Sequence, residues 1–165
     1  MDPSVGTPAF LALLGVHVLA GLFALGAGFG AIVTTKGGRR HNAAGRLYVL
    51  SMAVVVTTAV PLAVWVENWF LLAIAAFSGY LVFGGYRVIR QLRRPPAERP
   101  PWIGTHIAFM GGGYIATVTA TVTVNLTMLP PLVRWLGPTA VGVPLIVYAT
   151  RSYVPRFSRP ERPAE

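Results

Sequence analysis

The sequence predicts an all-α integral membrane protein, a helical bundle of about five transmembrane helices with its N-terminus outside and its C-terminus in the cytoplasm. Of its 165 residues, 54% are hydrophobic and only 12% are charged, which is about half the charged share usual in soluble domains. Long uncharged runs alternate with short basic segments. The absence of cysteine excludes disulfides, thiolate metal sites and cysteine nucleophiles.

Each predicted span is an apolar run close to the ~20 residues that a helix needs to cross a bilayer. We expect the first span to be retained rather than cleaved as a signal peptide, because it is long and no basic residue precedes it. The fifth contains two prolines and is either a kinked crossing or a re-entrant element. The spans cover about residues 8–34, 47–66, 69–88, 103–129 and 132–150, within a bundle of residues 1–154 that a disordered cytoplasmic tail, 155–165, follows.

The basic residues give each predicted span its direction. If the first segment lies outside, alternation places 13 of the 14 basic residues in cytoplasmic segments and leaves only Arg134 outside, as the positive-inside rule requires. Trp65, Trp69, Trp102 and Trp135 all lie at span ends, where indoles prefer the membrane interface. The net charge of +9 therefore indicates orienting loops that contact anionic lipid headgroups, and no nucleic-acid partner.

Threonines alternate with small or β-branched residues in the fourth span, a period typical of strands. They are Thr117, Thr119, Thr121 and Thr123. An isolated strand would leave its backbone groups unpaired in lipid, so this uncharged run still predicts a helix. Threonine hydroxyls can bond to carbonyls of the preceding turn and are tolerated there.

Few polar groups lie within the spans, and no Asp, Glu, Lys or Arg lies deep in any of them. This disfavours proton-coupled transporters and pumps, which generally need such a carboxylate. His17 shares a helical face with small residues such as Gly21 and Gly28, so it either hydrogen-bonds across a close helix contact or carries a proton or ligand. The intramembrane polar candidates for a small channel or transporter are His17, Thr117, Thr121 and Asn125.

A second candidate site lies on the cytoplasmic side, where the first loop meets the start of the fourth span. The loop from Lys36 to Arg46 is basic and glycine-rich, which suits it to phosphate or lipid headgroups. The triple glycine 111–113 indicates either close helix packing or an unwound segment, because glycine costs ~1 kcal/mol within a helix. The candidate ligand-binding residues are His41, Arg46, His106, Met110 and Tyr114.

Depth along the spans limits which histidines could share a cofactor. At ~1.5 Å per residue, His17 and His106 are on the order of 20 Å apart along the membrane normal, too far to hold one haem. His41 and His106 both lie on the cytoplasmic side and are the pair that could hold haem b or a metal. The sequence identifies no catalytic residue.

Three functions stay open. In the first, a non-enzymatic membrane protein binds a small ligand, lipid headgroup or partner subunit through His41, Arg46 and His106. The second is a membrane redox protein with haem or a metal, and the third is a small channel or transporter. Stripes of small residues would serve internal packing and contacts in a homo-oligomer equally well.

The chain resembles a family of small multi-pass bacterial membrane proteins catalogued as domain of unknown function 2306. The resemblance extends from His17 to about Asn125 and departs from the family's typical loop at Asn42, where an arginine is usual. It implies a helical bundle with a shared set of histidines in the bacterial cytoplasmic (inner) membrane, and no established activity. Its motifs are His17 followed by glycine and alanine, the loop Lys36-Gly37…Arg40-His41…Gly45-Arg46 leading to Tyr48 and Ser51-Met52, and a span from His106 through Met110 to Tyr114.

Overall fold

The computed structural model describes residues 6–90 and 102–157 and folds them into five helices. All five are long and apolar enough to cross a membrane, and the described residues contain no strand. The predicted all-helical bundle with five helices of membrane-spanning character is therefore confirmed. The arginine-rich segment 91–101 and most of the predicted tail lie outside the described residues. The helices are α1 (Pro8–Val33), α2 (Arg39–Trp65), α3 (Trp69–Arg90), α4 (Trp102–Asn125) and α5 (Pro131–Phe157).

The α1–α2 turn is shorter than the sequence predicts. Gly37 adopts a positive φ of 78°, which glycine allows without strain, and α2 begins directly afterwards at Arg39. His41 and Arg46 consequently lie in the first turns of a helix and not in a loop. The apolar run marks only the part of α2 suited to the hydrocarbon core, whereas the backbone hydrogen bonding of the helix continues into the charged residues before it.

The first four helices surround a common core, and α5 packs against the outside of α4. α1 lies along α2, α2 against α3, and α3 against α4, which also contacts α1. Met52 and Val82 are the largest fully buried side chains. Large apolar side chains such as Phe23 and Leu50 remain exposed, as expected for surfaces that contact lipid.

The triple glycine in α4 lies in a continuous helix and not in an unwound segment. A Cβ atom at Gly111 would lie 2.8 Å from the Ile146 side chain of α5, and one at Gly113 would lie 2.7 Å from Val82 of α3. The glycines therefore allow α4 to approach two neighbouring helices at once, the close packing that was one of the two predicted alternatives. α5 is likewise one continuous helix despite its internal prolines, which argues against a re-entrant element.

The two ends of the bundle differ in charge. One end contains the α1–α2 turn, the first turns of α2 and α4 and the last turns of α3 and α5; we call it the basic end. Every lysine and arginine whose side chain the structure describes lies at or near this end, apart from Arg134. Arg134 lies in the first turn of α5, at the opposite end.

Candidate functional site

Two histidines from different helices meet inside the basic end. The ring centroids of His41, in the first turn of α2, and His106, in the first turns of α4, are 6.5 Å apart, and the ring planes are inclined at 78°. Both side chains are partly buried. The pairing predicted from their depth along the spans is thus present in the structure as a direct neighbourhood of the two rings.

Each of these rings is oriented by a backbone carbonyl. Nδ1 of His41 lies 2.9 Å from the carbonyl oxygen of Ala31 in α1, and Nδ1 of His106 lies 3.2 Å from that of Gly85 in α3. A carbonyl can only accept, so Nδ1 is the protonated nitrogen in both neutral rings and Nε2 carries the lone pair. Within the described residues, neither Nε2 forms a hydrogen bond. Histidines that bind metals are typically held in this way, with the second nitrogen donating to a carbonyl or carboxylate.

The C-terminus of α1 supplies the groups around His41. The Lys36 ammonium donates to the Ala31 carbonyl at 3.0 Å and also to the carbonyl of Ile32. A cation in this position satisfies carbonyls that the helix leaves unpaired and complements the negative end of its dipole. Burial lowers the pKa of Lys36. His41 therefore also has a structural role, because it shares in capping α1.

Arg46 lies apart from the histidine pair. It follows His41 by five residues, which is about 140° around α2 at 100° per residue, and its side chain is exposed. The structure thus brings together the two histidines of the predicted site but places the arginine on another face of the helix.

Met110 and Tyr114 continue the face of His106 into the bundle. The Met110 side chain packs over Gly85, where an added Cβ would lie 2.9 Å from its sulfur. The Tyr114 hydroxyl donates to the Leu25 carbonyl of α1 at 3.1 Å. Both side chains therefore contribute to packing between helices. They lie one and two turns further along α4 than His106.

Tyr48 is a buried polar residue that the site prediction did not include. It is 2% exposed, and its ring centroid lies 6.1 Å from that of Tyr114. Its hydroxyl lies 3.5 Å from that of Thr117, which itself donates to the Gly113 carbonyl. The sequence offered one indication that Tyr48 belongs near the site. It follows His41 by seven residues, two helical turns, and so shares its helical face.

His17 forms a separate polar contact between α1 and α2. Its Nδ1 lies 3.0 Å from the Thr58 hydroxyl, which donates to the Val54 carbonyl at 2.7 Å. When the hydroxyl donates to Val54, it accepts from Nδ1–H of the ring; in the other tautomer it donates to Nδ1. His17 precedes Ala31, the carbonyl partner of His41, by fourteen residues, about 21 Å along α1.

The remaining intramembrane candidates bond to their own helix. The Thr121 hydroxyl donates to the Thr117 carbonyl at 3.0 Å, and the Asn125 amide donates to the Thr121 carbonyl at 2.9 Å. Both groups are satisfied locally, and Asn125 is exposed at the helix end. This arrangement gives the channel or transporter hypothesis no specific support.

Over residues 6–90 and 102–157, no group of three or more His, Cys, Asp or Glu side chains could hold a metal ion. A metal at the histidine pair would therefore have two imidazoles as its protein ligands there.

Comparisons of the chain with protein-family models, with curated proteins and with solved structures found no match. The resemblance stated above, which includes the three histidine positions, stays a prediction.

Proposed function

We propose that the chain is a multi-pass protein of the bacterial cytoplasmic membrane that binds a transition metal ion, alone or as haem b, between Nε2 of His41 and Nε2 of His106. The basic end then faces the cytoplasm and the N-terminus lies outside, an orientation supported by the distribution of basic residues.

The geometry of the histidine pair is the observation that carries this proposal. An imidazole nitrogen lies about 2.0 Å from a bound metal and about 1 Å from its own ring centre, so two imidazoles on opposite sides of one ion have centroids about 6 Å apart. The observed separation is 6.5 Å. Both rings already present the required lone pair, since their Nδ1 atoms donate to the carbonyls of Ala31 and Gly85.

The number of protein ligands limits the kind of metal site. Structural zinc sites use four protein ligands. Among the described residues, no third or fourth His, Cys, Asp or Glu joins the two histidines. Haem iron would need only these two histidines from the protein, as would an ion whose other ligands are water or substrate. A redox-active metal would supply one-electron chemistry at the membrane surface.

Packing limits where a porphyrin could extend. A Cβ at Gly84 would lie 2.5 Å from the Phe109 ring, and one at Gly85 would lie 2.9 Å from Met110. α3 and α4 are therefore in direct contact beside His106, and a porphyrin cannot pass between them. It would have to extend towards α1 and α2, whereas a single ion needs no such space.

The test is an absorption spectrum and metal analysis of detergent-purified protein from haem- and metal-replete cells. We expect one metal per chain, with a Soret band if the metal is haem iron, and loss of both in His106→Ala and His41→Gln. Glutamine keeps a side-chain N–H for the Ala31 carbonyl but has no imidazole lone pair. His17→Ala is the matched control and should retain the metal, because His17 lies about 21 Å from Ala31 along α1. A colourless wild-type protein that remains metal-free after reconstitution with haem and with divalent ions refutes the proposal.

A second candidate function is the binding of anionic lipid headgroups at the basic end. The side chains of Arg39, Arg40 and Arg46 are exposed there, and each basic residue near an anionic leaflet contributes about 1 kcal/mol. Replacing these three with alanine should reduce the phosphatidylglycerol that co-purifies with the protein, measured by lipid mass spectrometry. Unchanged lipid content would contradict headgroup binding and leave the metal proposal intact.

A further inference from the structure

Tyr80 lies on the outer surface of the bundle, halfway along a helix of membrane-spanning character. Its side chain is 64% exposed, and its ring lies beside that of Phe109 in α4, with centroids 5.4 Å apart. The Cα atom of Tyr80 is about 15–17 Å from each end of α3, which runs from Trp69 to Arg90. The hydrocarbon core of a bilayer is ~30 Å thick, so the hydroxyl cannot reach water on either side.

The hydroxyl of Tyr80 has no hydrogen-bond partner among the described residues. The hydroxyls of Tyr48 and Tyr114, by contrast, are paired inside the bundle. The three remaining tyrosines each lie within three residues of an arginine at the basic end, where a hydroxyl can reach headgroups and water. They are Tyr86, Tyr148 and Tyr153. An unpaired hydroxyl in hydrocarbon is costly, so Tyr80 needs a partner from outside this chain.

Small residues share the helical face of Tyr80. Ala73 and Ala76 precede it by seven and four residues, which places all three on one side of α3. All three are exposed, and together we call them the Tyr80 face. Helices in lipid associate through small residues, which allow close approach, and through polar side chains that hydrogen-bond across the contact. The Tyr80 face combines both features.

We propose that two copies of the chain form a parallel dimer through their Tyr80 faces. Copies inserted in the same direction associate around a two-fold axis along the membrane normal, and this axis keeps every residue at its own depth. Tyr80 therefore lies opposite Tyr80 of the second copy. A tyrosine hydroxyl both donates and accepts, so a second copy supplies the missing partner at the required depth, whereas lipid chains there do not.

Cysteine cross-linking tests which face forms the contact. The chain contains no cysteine, so one introduced cysteine reports on one position. Ala76→Cys should give a disulfide-linked dimer when membranes that contain the full chain are oxidised. Leu19→Cys is the matched control and should remain monomeric. Leu19 is 59% exposed and lies eleven residues after the start of α1, as Tyr80 does after the start of α3.

A second measurement tests the hydroxyl itself. Tyr80→Phe keeps the ring but removes the hydroxyl, and it should raise the dissociation constant of the dimer about 3- to 30-fold. The constant is measured by Förster transfer between labelled copies diluted in phosphatidylcholine vesicles. Tyr148→Phe is the control and should match wild type, because Tyr148 lies on α5 near the basic end.

Several results would overturn the proposal. A wild type that stays monomeric at every lipid dilution would do so, as would an unchanged dissociation constant in Tyr80→Phe. Cross-linking of Leu19→Cys in place of Ala76→Cys would assign the contact to α1. A lipid or quinone that co-purifies with monomeric wild type, and is lost in Tyr80→Phe by mass spectrometry, would be the partner instead. The cross-linking keeps Tyr80 intact, so it decides the question even if Tyr80→Phe does not fold.

Discussion

Replacing Gly28 with alanine should destabilise the bundle far more than the same change at Gly26, although both lie in α1. A Cβ at Gly28 would overlap two ring atoms of Tyr114 and lie 3.2 Å from the Tyr48 ring. The Tyr114 ring cannot move aside freely, because its hydroxyl donates to the Leu25 carbonyl at 3.1 Å. At Gly26, by contrast, no atom lies within 4 Å of the added Cβ.

Three effects, one stabilising and two destabilising, set the expected changes in the free energy of unfolding. Alanine in place of glycine within a helix contributes about 1 kcal/mol of stability, and this is the whole expected effect of Gly26→Ala. At Gly28 the added methyl overpacks a core contact, which costs about 1–3 kcal/mol, and displacing Tyr114 breaks a hydrogen bond worth about 1 kcal/mol. We therefore expect Gly28→Ala to lower the free energy of unfolding by roughly 1–3 kcal/mol and to differ from Gly26→Ala by roughly 2–4 kcal/mol.

The assay is reversible unfolding of each variant in mixed micelles, followed by circular dichroism as the fraction of denaturing detergent rises. A second pair of measurements tests the cause. In a Tyr114→Ala background only the Tyr48 ring, at 3.2 Å, stays close to the added Cβ, so Gly28→Ala should cost much less stability than it does beside Tyr114. Equal stabilities for Gly28→Ala and Gly26→Ala would refute the claim that close contact between α1 and the Tyr114 ring holds these helices together.

The same assay tests two further contacts. Thr58→Val removes the hydrogen-bond partner of the His17 ring and should cost about 1–3 kcal/mol, because a polar ring nitrogen loses its partner between helices. Thr57→Val is its control, since that hydroxyl bonds only to its own helix, and equal losses would contradict a role for His17. Gly142→Ala should cost about 1–3 kcal/mol by overlap with Ile115. The further change Ile115→Ala should restore part of this loss, and no recovery would argue against the contact.

The sequence predicted the helices well because their composition is set by the lipid around them. Uncharged runs must form helices in a bilayer, where no other backbone arrangement of a single segment pairs all its polar groups. The predicted helix boundaries were less accurate at the membrane surface, where water can pair the backbone groups and this constraint no longer applies. α2 begins at Arg39, eight residues before the apolar run at Leu47, because a helix can continue into charged residues that leave the hydrocarbon core.

The candidate site was predictable only in part, and the reason is rotation about the helix axes. Depth along a span follows from residue number, so the meeting of His41 and His106 could be anticipated. Which carbonyls orient their rings depends on how α1 and α3 are turned towards them, and sequence spacing does not give that. The same holds for the buried hydroxyls of Thr119 and Thr123, which have no hydrogen-bond partner among the described residues, because this depends on their side-chain rotamers.

The metal site that we propose at the basic end has to be reconciled with the many positive charges there. The arginines of this end are largely exposed, and their fields are screened by salt within about 8–10 Å. Lys36 is closer, but its ammonium is engaged by the carbonyls of Ala31 and Ile32. The carbonyls that accept from Nδ1 of His41 and His106 favour a bound cation instead of repelling it. Such hydrogen bonds make the other ring nitrogen, Nε2, a better metal ligand. The immediate surroundings of the two lone pairs therefore favour a cation, even though the end as a whole is basic.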